Sequence, residues 1–154
     1  MPARELRDLA ERYADGVDRR AFDEVAVLFR PGGVLRVPAR GMIGLDEHIG
    51  RAAIVAALRA VDRTAATLHA VTGQNVRIDG DLATGTVSGL AHHLVDTADG
   101  PRSLVWVLRY ADRYGRVDGT WWFTRREVQV RWIESREVTW AGGPEADRAV
   151  RAAR

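Results

Sequence analysis

Residues 67–95, TLHAVTGQNVRIDGDLATGTVSGLAHHLV, decide the fold class of this sequence. Two runs of valine, threonine and small residues flank Asp79-Gly80-Asp81, and an Asp-Gly pair in that setting is the strongest local signal for a β-hairpin. The same stretch holds three of the chain's four histidines, His69, His92 and His93. Because an imidazole is costly to bury among apolar strand residues without a polar partner, these histidines are candidates for a functional site.

Helical periodicity precedes the hairpin, and strand periodicity surrounds it and follows it. The predicted helices are residues 2–19, 21–30 and 45–61, with a short strand at 34–37 between the second and the third. The other predicted strands are residues 64–71, 76–78, 83–95, 103–114 and 120–140. Helices followed by a long antiparallel meander predict an α+β protein with its helices on one face of a curved sheet. We expect a single domain over residues 1–140 and a polar C-terminal tail over residues 141–154.

Composition excludes several classes of chemistry. The chain has no cysteine, and all 23 of its basic residues are arginine, so it has neither a thiol nucleophile nor a lysine able to form a Schiff base. The formal net charge is only +2, and the arginines alternate with acids, which argues against a nucleic-acid groove. No P-loop or Gly-rich dinucleotide motif is present. We therefore expect no cofactor and no nucleic-acid partner.

Hydropathy gives a further expectation about location. The sequence has no run of about 18 apolar residues, so no membrane span and no membrane partner are expected. Its N-terminus, MPARELRDLAERY, is charged and lacks the apolar core of a secretory signal. A cytoplasmic location is the resulting prediction.

Strand parity predicts which side chains face the helices. In the last strand the more apolar alternate set comprises Trp122, Thr124, Arg126, Val128, Val130 and Trp132. This set is predicted to face inward, which places Phe123 on the outer face, where it would favour a sheet-to-sheet homodimer. His92 and His93 are adjacent and must point to opposite faces, so they cannot share a metal ion, and no metal site is expected.

Four segments resemble one known family over nearly the whole chain. They are YADGVDRRAFDEVAVLF at 13–29, TLHAVTGQNV at 67–76, GTVSGLAHHL at 85–94 and WWFTRREVQVRW at 121–132. The pattern resembles the SnoaL-like branch of the nuclear transport factor 2-like superfamily, and within it scytalone dehydratase, bile-acid 7α-dehydratase and hexachlorocyclohexane dehydrochlorinase. The resemblance implies a cone-shaped barrel in which a curved antiparallel sheet wraps around three N-terminal helices and leaves an apolar pocket. As partners we also expect a second or third copy of the chain, in a homodimer or homotrimer.

The resemblance implies a cofactor-independent lyase that acts on a hydrophobic cyclic small molecule. In those enzymes an Asp at the end of the first helix orients a catalytic His, and the matching positions here are Asp18 and His69. Tyr13 matches a pocket tyrosine, and His93 matches a second histidine on the next long strand. The alternatives are an isomerase or polyketide cyclase using the same pocket, or a non-catalytic small-molecule-binding protein.

Other residues carry weaker expectations. Arg126 matches an arginine that assists the leaving group, and the alternative is that it simply pairs with a helix carboxylate. His93 is either a substrate hydrogen-bond donor or a histidine of the pocket wall, and Tyr13 is either a pocket hydroxyl or a core residue. Further substrate-binding candidates are Trp106, Tyr110 and Val128.

Overall fold

A computed structural model describes residues 1–139, and these residues form the predicted α+β fold. The helices are α1 (Pro2–Asp18), α2 (Phe22–Ala26) and α3 (Arg51–Leu58), the last followed by a 3₁₀ helix at Arg59–Arg63. The strands are β1 (Phe29–Pro38), β2 (Leu45–Ile49), β3 (Ala66–Asp79), β4 (Leu82–Thr97), β5 (Gly100–Val117) and β6 (Thr120–Glu137). The predicted tail at 141–154 lies outside the described residues, as does position 140. No helix within residues 1–139 is long and apolar enough to span a membrane.

All six strands belong to one curved sheet, in the order β2-β1-β6-β5-β4-β3. The strands predicted at 64–71 and 76–78 are one strand, β3, and the four strands from β3 to β6 form the predicted antiparallel meander. β1 departs from the prediction because it pairs with β6 in parallel. β2 and β3 occupy opposite edges, so the sheet wraps partly around the helices without closing into a barrel.

The predicted third helix is wrong over its first part. Residues Leu45–Ile49 form β2, an edge strand that pairs antiparallel with β1, so Asp46 and Glu47 do not lie in the first turn of a helix. Gly50, with a φ of +83°, separates the strand from α3. Five residues are too few for periodicity to distinguish a strand from a helix, and pairing with β1 decides this segment.

The predicted second helix is too long. α2 ends at Ala26, and β1 begins at Phe29. The segment Pro31-Gly32-Gly33 therefore does not terminate a helix but lies within β1, where the pairing with β6 is irregular between Phe29 and Val34. Proline is tolerated in a strand where ladder pairing is interrupted.

The core forms where α1 packs against the concave face of the sheet. Leu6, Leu9, Tyr13 and Val17, at helical spacing on α1, are all buried. Gly16 allows α2 to pack closely against α1, because a Cβ at this position would lie 2.5 Å from Cγ2 of Val25. This close contact lies two residues before Asp18, the last residue of α1.

Two bulges in β6 make the predicted parity wrong at both ends of this strand, whereas Arg126 and Val128 between the bulges face inward as predicted. Tyr114 pairs with Phe123 whereas Arg113 pairs with Arg125, which leaves Thr124 as an extra residue. A bulge of this kind transfers the following side chains to the other face. The inward residues are therefore Trp121 and Phe123 before the bulge, then Arg126 and Val128 after it.

The consequences contradict three assignments made from alternation. Phe123 is completely buried, so it cannot support a dimer on the outer face. Trp122, predicted to face inward, is only partly buried. A second bulge at Arg131 pairs Trp132 with Val107, and Trp132 is 56% exposed.

Candidate active site

An apolar cavity of about 280 Å³ lies between the concave face of the sheet and the helices. Val17 of α1 and Ala57, Leu58 and Val61 of the α3 region form apolar walls. The polar lining residues are Tyr13, Thr64, His69, His93, Trp106 and Tyr110. Among the lining residues within 1–139, none is acidic and none is an arginine. Few polar groups in an otherwise apolar cleft are typical of a small-molecule site.

Asp18 and His69 meet at this cavity. The Nδ1 atom of His69 lies 2.7 Å from Oδ1 of Asp18. The backbone N–H of His69 donates a hydrogen bond to Oδ2 at 2.8 Å, and the Thr67 hydroxyl donates to Oδ1 at 2.9 Å. The last residue of α1 is thus joined to β3 by three hydrogen bonds. The structure brings together the pair that the family resemblance implies.

The hydrogen bonds determine the protonation of the pair. Partial burial by itself raises the pKa of Asp18, but the hydrogen bonds from His69 and Thr67 outweigh it, and the pKa lies below its ordinary value. An ionised carboxylate only accepts hydrogen bonds, so Nδ1 of His69 is the protonated nitrogen. In neutral His69 the free lone pair is therefore on Nε2, which makes this side chain a candidate general base.

His93 lines the cavity beside His69. The two ring centroids are 5.7 Å apart, and the Trp106 ring lies 4.8 Å from His93. Burial, together with the nearby His69, lowers the pKa of His93 to about 4. At neutral pH His93 is therefore an uncharged hydrogen-bonding group rather than a cation.

His92 points to the opposite face of β4, as strand parity predicts. Its Nδ1 lies 3.3 Å from the Ser103 hydroxyl, and it is not part of the cavity wall. The described part of the chain contains no group of three or more histidine, aspartate or glutamate side chains able to hold a metal ion.

Tyr13 and Tyr110 lie side by side in the cavity wall. Their ring centroids are 5.9 Å apart in an edge-to-face arrangement. Burial raises the pKa of Tyr13 to about 12 and shifts the pKa of Tyr110 upward as well. Both phenols therefore stay protonated and available as hydrogen-bond donors. Trp106 and Val128, the remaining substrate-binding candidates, also line the cavity.

Arg126 lies behind these tyrosines and does not line the cavity. Its guanidinium carbon is 4.0 Å from the Tyr110 ring centroid and 4.3 Å from that of Tyr13. Nε and Nη2 donate hydrogen bonds to the Asp112 carboxylate at 3.0 and 3.1 Å. Arg126 is fully buried. It pairs with a strand carboxylate rather than with either partner envisaged from the sequence, a leaving group or a helix acid.

Sequence reasoning missed three residues of this region. Asp112 accepts a further hydrogen bond from the Tyr114 hydroxyl at 2.8 Å, and its place two residues from both Tyr110 and Tyr114 was a signal that it shares their face. Thr67 likewise shares a face with His69, two residues away. Arg20 donates to the Thr67 hydroxyl at 2.7 Å, and no sequence pattern indicated this contact.

Fold and site together define an α+β protein with an apolar pocket, lined by a partly buried histidine that is paired with an aspartate. Residues 3–127 match the model of the SnoaL-like domain, and the chain belongs to this family. No curated protein matches the sequence.

Solved structures share the fold. A candidate scytalone dehydratase from Novosphingobium aromaticivorans is 20% identical, with a TM-score of 0.74 and coverage of 90% of this chain and 89% of that one. Hexachlorocyclohexane dehydrochlorinase LinA type 3 from Novosphingobium barchaimii is also 20% identical, with a TM-score of 0.74 over 90% and 92%. The Kfla4162 protein from Kribbella flavida is 26% identical, with a TM-score of 0.76 over 86% and 92%. The first two are similar to this chain at a level that establishes the fold alone.

Proposed function

We propose that this protein is a cofactor-independent lyase that eliminates water or another leaving group from a hydrophobic cyclic small molecule. The observation that carries the proposal is His69, which lines the cavity while its Nδ1 is hydrogen-bonded to the ionised Asp18. That arrangement leaves Nε2 as a base at an apolar site. The dehydratase and dehydrochlorinase with the same fold agree with an elimination.

In the proposed step, Nε2 of His69 removes a proton from a carbon next to a carbonyl or enol. The electrons of the broken C–H bond form a C=C bond, and the leaving group departs with its bonding electrons. A departing hydroxyl takes the proton from the His69 imidazolium and leaves as water, which restores neutral His69. Asp18 stabilises the imidazolium that forms, and Tyr13 or neutral His93 donates a hydrogen bond to the departing or carbonyl oxygen.

The cavity supports a neutral and compact substrate. Its described walls carry no carboxylate or guanidinium that would pair with a charged ligand. A volume of about 280 Å³ lies at the lower limit of small-molecule pockets. We propose a cyclic molecule whose one or two oxygen functions reach the tyrosine and histidine groups.

An isomerase or polyketide cyclase is the second candidate. The observation in its favour is the pair of protonated phenols, Tyr13 and Tyr110, beside His69. Such donors stabilise an enolate oxygen, and an enolate is sufficient for isomerisation or cyclisation without any leaving group. A non-catalytic binding protein is the third candidate.

The mass of the product separates these candidates. Neutral hydroxylated cyclic ketones are incubated with the protein and followed by mass spectrometry. Loss of one water indicates elimination, an unchanged mass with altered retention indicates isomerisation or cyclisation, and binding without conversion indicates a binding protein.

Variants test the assigned base. His69→Ala and Asp18→Asn are expected to reduce kcat by about 100- to 10,000-fold, the usual contribution of a positioned acid or base, while circular dichroism shows a folded protein. His92→Ala is the matched control, because this imidazole lies on the other face of β4. Wild-type turnover in both the His69 and Asp18 variants would refute the assignment.

A homodimer or homotrimer and a cytoplasmic location remain proposals. Leu68 and Trp132, 59% and 56% exposed on the outer face of the sheet, support self-association in place of the buried Phe123. Light scattering on the purified protein measures the oligomeric state, and a monomer at working concentration would contradict it.

A further inference from the structure

A hydrogen-bond chain continues behind the Asp18–His69 pair. Nη1 of Arg20 donates to the Thr67 hydroxyl oxygen at 2.7 Å, and that hydroxyl donates to Oδ1 of Asp18 at 2.9 Å. A threonine hydroxyl has a single hydrogen. Because Arg20 can only donate, the Thr67 hydrogen is left to point at Asp18, and the direction of the chain is fixed.

Arg20 joins the three segments on which the site depends. It follows the end of α1 with a φ of 62°, a conformation that is uncommon for a residue other than glycine. Its guanidinium also donates to the Thr64 hydroxyl at 2.9 Å and to the Val17 carbonyl at 3.2 Å. Its Nε lies 3.7 Å from Asp62 on the 3₁₀ helix. The arginine thus fastens α1 to the start of β3, the two elements that supply Asp18 and His69.

The charge of Arg20 also acts on the other histidine. The groups that face this corner are Asp18 from α1, His69 from β3, His93 from β4 and Asp62 from the 3₁₀ helix. After burial and the nearby His69, the Arg20 charge contributes to the lowered pKa of His93. The hydrogen bond from Thr67 contributes to the lowered pKa of Asp18. One cation therefore favours an ionised Asp18 through Thr67 and an uncharged His93.

From these contacts we propose that Thr67 and Arg20 are positioning residues that hold the Asp18 carboxylate in the orientation in which it orients His69. Neither side chain is part of the cavity wall, so each acts through Asp18 and not on the substrate. This inference rests on the proposed function for its catalytic meaning, but the positioning itself is measurable without a substrate.

Two variants separate the role of the Thr67 hydroxyl from that of its side-chain shape. Thr67→Val keeps the shape and removes the hydroxyl, whereas Thr67→Ser keeps the hydroxyl. Carboxyl ¹³C NMR titration reports the pKa of Asp18, and we expect that pKa to rise in Thr67→Val because one donor is lost, and to stay low in Thr67→Ser. Because Thr67→Val loses one hydrogen bond to a charged group, we also expect its kcat to fall about tenfold. Thr67→Ser keeps the hydroxyl and should keep the wild-type kcat. An unchanged Asp18 pKa in folded Thr67→Val would overturn the inference.

Arg20→Met tests the cation, with Arg19→Met as the matched control. Arg19 is the neighbouring residue, but it pairs with Asp15 and Glu24 at the surface. We expect the pKa of Asp18, followed by carboxyl ¹³C NMR, to rise in Arg20→Met, because the donor behind Thr67 is lost, and to stay unchanged in Arg19→Met. Equal Asp18 pKa values in both variants and in the wild type would contradict the positioning role of Arg20.

The two proposals fail in different ways. If no substrate is turned over but Thr67→Val raises the pKa of Asp18, the positioning stands and the proposed lyase activity is wrong. If Asp18→Asn abolishes turnover while Thr67→Val keeps both the wild-type kcat and the wild-type Asp18 pKa, the lyase proposal stands and the positioning inference is wrong.

Discussion

Asp18–His69 and Asp112–Arg126 each pair a carboxylate with a nitrogen-containing side chain. The two pairs lie on either side of the Tyr13–Tyr110 wall. In the first pair the side chains are 19% and 11% exposed, and the base lines the cavity. In the second, both residues are almost completely buried, and the guanidinium is enclosed by aromatic rings. Similar hydrogen-bonding groups therefore occur in two settings, and only the first of them borders the cavity.

The two bases also differ in chemistry. An imidazole gains and loses a proton near neutral pH, whereas a guanidinium in a protein does not lose its proton. Burial opposes the charge of Arg126, but Asp112 and the surrounding tyrosines together outweigh this effect and raise the pKa of Arg126. The difference supports the proposal that His69 transfers the proton, whereas Asp112–Arg126 lies behind the wall and has no contact with the cavity.

The largest expected effect on the free energy of unfolding comes from breaking the buried Asp112–Arg126 pair. Arg126→Met leaves the Asp112 carboxylate buried without its ion partner, which typically destabilises a protein by about 3–5 kcal/mol. Urea unfolding followed by tryptophan fluorescence measures the loss. A variant that unfolds at the wild-type urea concentration would show that the pair does not hold this part of the core.

A double variant is the control for this experiment. Arg126→Met combined with Asp112→Leu removes both charges, and replacing a buried ion pair with apolar residues is often neutral or stabilising. We expect the double variant to recover most of the stability lost in Arg126→Met. Failure to recover would indicate that packing around the guanidinium, rather than the unpaired carboxylate, causes the loss.

A smaller, pH-dependent effect on the free energy of unfolding is expected for the Asp18–His69 pair. The folded-state pKa of Asp18 lies below its ordinary value, so ionised Asp18 adds stability that is fully present above the unfolded pKa of about 4 and is lost as the pH falls through the folded value. The stability difference between wild type and Asp18→Asn should therefore be constant near pH 7 and shrink at pH 3. A difference independent of pH would contradict the ionised, hydrogen-bonded state of Asp18.

The sequence was sufficient to predict the helices and strands whose apolar residues follow a regular period. α1 and the meander from β3 to β6 were predictable because their apolar residues recur at one spacing over many residues. β2 was not, because a strand of five residues at a sheet edge depends on its pairing with β1. The bulge at Thr124 was also hidden, and it alone decides that Phe123 and Arg126 share a face.

The Asp18–His69 and Asp112–Arg126 pairs also differ in how far the sequence could predict them. Asp18 and His69 were found through the family resemblance, because the end of the first helix and the start of the meander are positions that can be matched along a chain. The pairing of Arg126 with Asp112 depends on the register of β5 and β6 after a bulge. Such long-range register leaves no local signal in the sequence.

The most direct test of the central claim is the protonation of His69, measured by ring ¹⁵N NMR of the neutral imidazole. We expect a protonated Nδ1, hydrogen-bonded to Asp18, and an unprotonated Nε2. We also expect the preference for Nδ1–H to weaken in Asp18→Asn. A wild-type His69 with its proton on Nε2 would have no lone pair to offer the cavity, and this result would contradict the assignment of His69 as the base.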